Sequence, residues 1–73
     1  MLLPDTVRGT LLEVHRADIH DQPNWLLVYA IEGDPALQEA RIAVEAVYPE
    51  PRAGDTVVIH RVMGEAVEVR KTE

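Results

Sequence analysis

The sequence predicts a mainly β fold, a small five-stranded antiparallel barrel built as one domain over residues 1–73. Three observations carry that expectation. Runs rich in Val, Ile, Leu and Thr recur at roughly 8–14-residue spacing, with Gly, Pro, Asp and Asn between them. The first run holds a glycine in its middle and changes the phase of its apolar positions. The last third reads as a regular hairpin around Met63-Gly64.

Taken in order, Pro4-Asp5 is a lead-in and Thr6 to Arg16 is the first strand. Val7 and Leu11 share one parity, whereas Leu12 and Val14 share the other. A strand that switches face carries a bulge or bend, and Gly9 is the expected place for it. Ala17 to Asn24 is a polar loop. Trp25 to Glu32 is the strongest strand in the chain. Trp25, Leu27, Tyr29 and Ile31 form one face and Leu26, Val28 and Ala30 the other, so both faces are apolar.

Gly33-Asp34-Pro35-Ala36 is punctuation, and the segment after it has two readings. Alternation of Ala40, Ile42, Val44, Ala46 and Tyr48 favours a strand. The competing reading is a single helix over 35–47, with Asp34 as N-cap, Pro35 in the first helical position and Leu37, Ala40, Val44 and Val47 as its stripe. Pro49 to Asp55 is a turn. Thr56 to Val62 and Ala66 to Arg70 then form the closing hairpin, with Val67 and Val69 inward, and Lys71-Thr72-Glu73 is a frayed tail. With a strand at 37–47 the architecture is an SH3-like or OB-like meander; with a helix there, it is an OB-like barrel with a strand shortened.

Composition narrows the chemistry. A chain of 73 residues buries only about 60% of the surface its unfolded form exposes, which leaves a thin stability margin. It has no cysteine, hence no disulfide and no thiolate metal site. It also has no serine, and Thr6, Thr10, Thr56 and Thr72 lack a neighbouring base, which argues against nucleophilic catalysis. The net charge of −6 repels phosphate backbones, so nucleic acid is not the expected partner. The glycines never approach a phosphate-binding spacing. No apolar run is long enough to span a membrane, and Met1 to Asp5 lacks the basic segment of a signal peptide, so the cytoplasm is the expected compartment.

Two sets of residues remain as candidate sites. His15, His20 and His60 would form a metal or small-ligand site with Asp18 or Asp21, provided that neighbouring first and fourth strands bring His15 and His60 together. The spacing His15-x4-His20 matches no compact metal motif, and the bland alternative is three surface histidines with no metal or other cofactor. Trp25, Tyr29 and Arg61 would supply a minimal platform for single-stranded nucleic acid, though the aromatic pair fits a core equally well. The second set is an apolar surplus. Leu26, Val28, Val58 and Val62 lie on parities opposite to the apparent core of Trp25, Leu27, Tyr29, Val57 and Ile59. A small barrel cannot bury both faces of its strands, so Trp25, Leu26, Val28, Val58 and Val62 are the expected interface of a homo-oligomer, most simply a dimer.

Gly54-Asp55-x-Val57-x-Ile59-His60 resembles the GDxVxVH strand of the small OB-type chaperones that assist hydrogenase assembly. In that family a cysteine after the initiator Met carries the function, whereas position 2 here is Leu and the chain has no cysteine. Gly9-Thr10 followed by Leu26-Leu27-Val28 is similar in layout to the pentamer-forming shell proteins of bacterial microcompartments, whose glycine-rich loop this chain lacks. Each resemblance spans one or two strands and implies a small barrel without an activity. The expected function is therefore that of a non-enzymatic β module working through protein–protein contact and self-association.

Overall fold

A computed structural model describes residues 4–72; the readings made on Met1–Leu3 and on Glu73 lie outside them. The described chain is mainly β. Five strands, β1 (Asp5–Ile19), β2 (Gln22–Ile31), β3 (Leu37–Ala43), β4 (Thr56–Val62) and β5 (Glu65–Lys71), form one antiparallel sheet in the order β3-β2-β1-β4-β5. The sheet curls until β3 and β5 approach each other, yet it does not close. A single parallel bridge, Val47 to Val69, joins the chain just past β3 to β5, and the Tyr48 N–H donates to the Val69 carbonyl at 3.2 Å.

The segment with two readings is a strand that ends in a tight turn. There is no α-helix over 35–47: β3 runs to Ala43 and a 3-10 turn follows over Val44–Ala46. Asp34, placed above as a helix N-cap, instead accepts the Ala36 N–H on its side chain at 2.9 Å. That Asx turn spends the capping group on a chain reversal, and Pro35 sits within it. Beyond it Gln38, Ala40 and Ile42 turn to the interior while Leu37, Glu39 and Arg41 face solvent. The strand pairing along β2 outweighs the helix propensity of Leu, Gln, Glu, Ala and Arg, as tertiary context commonly does.

Two β-bulges set which side chains face inward. In β1 the register shifts between Leu11 and Glu13, so Leu12 is the extra residue, and Gly9 keeps regular pairing with Ile31 and Val57. The bend expected at Gly9 thus lies three positions later, at the adjacent leucines where the apolar phase changes. In β5 the pairing jumps from His60–Glu68 to Arg61–Ala66, leaving Val67 unpaired. Val67, expected inward, is therefore exposed, and Ala66 packs against the core in its place.

The Ala17–Asn24 segment is not a loop. β1 and β2 continue pairing to Ile19–Gln22 and reverse through His20 and Asp21, both at positive φ (51° and 63°). Two positive-φ residues make a turn whose twist matches the flanking strands, and His and Asp tolerate that conformation better than branched residues do. The expected turn at Met63-Gly64 is of the same kind, with φ of 55° and 81°. The tail is also more ordered than expected: Lys71 belongs to β5, and both the backbone N–H and the hydroxyl of Thr72 donate to the Thr56 carbonyl at 3.0 Å.

The core lies inside the curl. Leu11, Leu27, Tyr29, Ile42, Val47, Val57, Ile59 and Val69 are buried, with Val7, Val14, Trp25 and Ile31 among those packed around them. The alternation expected for Leu27, Tyr29, Val57 and Ile59 is thereby met. Among the described residues no buried side-chain polar atom lacks a partner, so desolvation is not opposed by an orphaned group.

One end of the curl is covered by the stretch between the 3-10 turn and β4. The Tyr48 hydroxyl donates to the Asp55 carboxylate at 2.6 Å, and the Arg52 N–H donates to the same oxygen at 3.1 Å. Backbone bonds between Leu11 and the Gly54–Asp55 pair (2.9 and 2.7 Å) fix this stretch to β1. The Tyr48 hydroxyl chiefly, helped by the Arg52 N–H and the cations of Lys71 and Arg52, holds the Asp55 carboxyl below the ordinary carboxylate range, while burial and the acceptor push Tyr48 well up. Asp5 is lowered as well, by its two-point contact with Arg61 at 2.9 and 2.6 Å.

A carboxyl whose folded value is depressed gives stability that is present above its unfolded value, about 3.9, and lost as pH falls through the folded value. Tyr48→Phe is accordingly expected to be less stable than the parent at about pH 7, and to begin acid unfolding at higher pH. The gap should shrink as pH falls through the depressed folded value, where the Asp55 carboxyl takes up its proton and the contribution of the Tyr48 bond to it is lost. Equilibrium urea unfolding across pH checks this; a gap of the same size at every pH would rule out the carboxylate as its source.

Candidate functional site

The outward face of the sheet carries the side chains that the core does not use. The bulge at Leu12 determines its composition. Before the bulge, the odd positions Val7, Gly9 and Leu11 point inward; after it, the even position Val14 does. Glu13 and His15, which strict alternation would have turned into the core, therefore face solvent. Antiparallel register then aligns them in rows across three strands. Arg41 of β3 pairs with Leu26 of β2, which pairs with His15 of β1. Two residues along, Glu39 pairs with Val28, which pairs with Glu13. The two rows enclose a shallow open groove of about 440 Å³ with Leu26 and Val28 along its middle.

Leu26 is 39% exposed and the bulged Leu12 beside Glu13 is 42% exposed. Val28 is half-buried. The groove thus has an apolar centre and charged flanks. His15 Nε2 lies 3.0 Å from Glu13 Oε1, a contact between adjacent rows of one chain. Among the described residues, neither Arg41 nor Glu39 takes part in an ion pair, although the two sit two positions apart on one face.

The other expected interface residues lie elsewhere. Val58 is half-buried on the outer face of β4, between Arg8 of β1 and Arg70 of β5. Val62 is 41% exposed at the hairpin end of β4. Thr10 and Thr56, paired with each other, and Arg8 separate these two from Leu26 and Val28. Trp25 belongs to the inner face: it packs against the core, pairs with Arg16 and Ile42, and carries the Arg16 guanidinium 5.4 Å from its ring centroid. The five residues therefore form an inward Trp25 and two separate outer patches. Tyr29, the other member of the aromatic platform considered for nucleic acid, is buried.

The three histidines do not come together. β1 and β4 are neighbours as expected, but His60 pairs with Thr6, nine positions along β1 from His15. At about 3.3 Å per residue that separation approaches 30 Å. His20 occupies the β1–β2 turn, a further five positions beyond His15. His60 has its own neighbours: Nδ1 lies 3.4 Å from the hydroxyl of Thr6, so this threonine does have an imidazole beside it, contrary to the expectation from sequence, and Nε2 lies 3.9 Å from Glu68. No group of three or more His, Asp or Glu side chains fit to hold a metal is present among the described residues. The register thus keeps the three histidines apart within one chain.

Four positions of the run that resembles the hydrogenase-assembly chaperones have a structural account. Gly54 is at φ +94° and bonds to Leu11, Asp55 anchors Tyr48 and the Arg52 N–H, and Val57 and Ile59 are core. A second concavity of about 270 Å³ lies where the curl stays open, between Gln38 and Ala40 of β3 and the Gly64–Ala66 end of the last hairpin. No helix among the described residues is long and apolar enough to cross a membrane. Compared with known proteins, the chain matches no family profile, no curated sequence and no solved structure.

Proposed function

We propose that this protein is a non-enzymatic β module that acts through protein–protein contact, with self-association as its simplest form. The observation that carries this reading is the half-exposed apolar centre at Leu26 and Val28 on a sheet whose core is complete without it. Apolar centres ringed by polar groups are the usual anatomy of a docking surface. The absence of serine and cysteine from the sequence and the dispersal of the histidines support the non-enzymatic part. The net charge of −6 supports a protein partner over nucleic acid. We read the architecture as OB-like: the order β3-β2-β1-β4-β5 with a parallel contact at the open seam is a five-stranded barrel short of closure, with the 3-10 turn where a helix would cap it.

The patch spans three strands about 4.8 Å apart, so the contact belongs to the small, reversible class. Sedimentation equilibrium from about 10 µM to about 1 mM is expected to give a concentration-dependent dimer. Leu26→Asp should shift it toward monomer without a change in the circular dichroism spectrum, since Leu26 is not part of the core. A chain that stays monomeric across the whole range overturns self-association.

A further inference from the structure

We infer that a second copy of this chain docks face to face on the Leu26–Val28 groove about a two-fold axis that runs along the rows, midway between them. This inference rests on the self-association reading and gives it a geometry. The row Arg41–Leu26–His15 carries the cationic and imidazole side chains, and the row Glu39–Val28–Glu13 carries the carboxylates. The rows are two residues apart, about 7 Å along the strands. A half-turn about an axis between them exchanges the rows and keeps each strand position. It sets Arg41 against Glu39 of the second copy, Leu26 against Val28, and His15 against Glu13.

Every contact is then matched in kind, and each occurs twice, as an isologous interface requires. Sheets packed face to face lie about 10 Å apart, a gap that Leu and Val fill from both sides and that Arg and Glu side chains bridge. Arg41 and Glu39 are the groups that commit the surface to this occupant. Both stand beside the groove, and neither has an ion-pair partner among the described residues, so their pairing breaks no internal ion pair, whereas His15 and Glu13 already contact each other within one chain. A partner of uniform charge would match one row and oppose the other, whereas a second copy turned over matches both.

The arrangement makes a distinctive demand on charge. Reversing one row member, as in Arg41→Glu or Glu39→Arg, places like charges opposite each other at both symmetry-related positions. Either single reversal is expected to weaken the dimer by roughly tenfold or more at low ionic strength. The double reversal Arg41→Glu with Glu39→Arg exchanges the two signs, restores the match and should bring affinity back to within about threefold of the parent.

Sedimentation equilibrium on the parent, the two single variants and the double variant is the test, with thermal unfolding run on each to verify an intact fold. Loss in the singles and recovery in the double supports the two-fold pairing. A dimer indifferent to the single reversals, or weakened by them and not recovered in the double, overturns this geometry and leaves self-association standing. A parent chain monomeric to about 1 mM overturns both.

Discussion

Gly9→Ala is expected to lower the unfolding free energy by about 3 kcal/mol, the upper range for forcing extra volume into a close-packed site. The reason is a backbone contact. Gly9 pairs with Ile31 on one side and Val57 on the other, in the short part of β1 that is paired along both edges and so joins the two halves of the sheet. A Cβ there would stand 2.5 Å from the Ala30 carbonyl oxygen, with the Ile59 Cδ1 at 3.5 Å. A flexible side chain could swing away; a carbonyl within a ladder moves only with its strand. Relief therefore requires β1 and β2 to separate, which strains the pairing on which the curl depends.

Domains of this length hold about 4–11 kcal/mol in total, so the loss would be a large share of it and would lower Tm by on the order of 10–20 °C. Urea unfolding with an unchanged m-value, together with a thermal scan, measures it. A change below about 0.5 kcal/mol would mean that the strands part easily at this point and that glycine is dispensable.

Gly9 also illustrates how much of this fold is legible in the sequence. The existence of β1, β2, β4 and β5, the inward set Leu27, Tyr29, Val57 and Ile59, and the Met63-Gly64 turn all follow from alternation and turn chemistry. What alternation does not locate is a bulge. Glycine in a strand suggests either a bulge or a close backbone approach, and at Gly9 it is the second. The bulge at Leu12 has no glycine, and its signal is the pair of adjacent leucines across which the apolar phase changes. At Val67 not even that signal exists, because Ala66 and Val67 are both acceptable inward residues until the pairing with β4 decides between them. The helix reading of 35–47 failed for a related reason: Asp34 and Pro35 serve a helix start and a turn equally well, and only the neighbouring strand settles which.

The candidate site was legible in part. Leu26 and Val28 stand out as apolar residues on the wrong face. Their grouping with Glu13, His15, Glu39 and Arg41 depends on cross-strand register, which is set by the Leu12 bulge and by the length of the His20-Asp21 turn. A one-residue change in either would turn the rows to the other face. The alternation Leu37-x-Glu39-x-Arg41 was the available sign that this strand presents charge to solvent. It could not say which residues of β2 lie alongside.

The division of labour between the two faces can be tested with one residue type on one hairpin. Leu11→Ala and Leu26→Ala remove the same atoms from β1 and β2. Leu11 is fully buried, and its backbone N–H and carbonyl also bond to Asp55 and Gly54 across the covered end. Truncating it deletes buried methyl groups and leaves a cavity bordered by paired strands that cannot close in, so about 3–5 kcal/mol should be lost. Against a total of about 4–11 kcal/mol, that is a large share, and at the lower end of the range it leaves the chain substantially unfolded. Leu26→Ala should cost under about 1 kcal/mol, because the side chain is already half in water and no cavity forms. Its effect should appear instead in the dimer constant. If stability proved equally sensitive at both positions, the outer leucine would belong to the monomer's own core, and its exposure would call for no partner. A stability cost confined to Leu11, with an association cost confined to Leu26, assigns the inner face to folding and leaves the outer one for recognition.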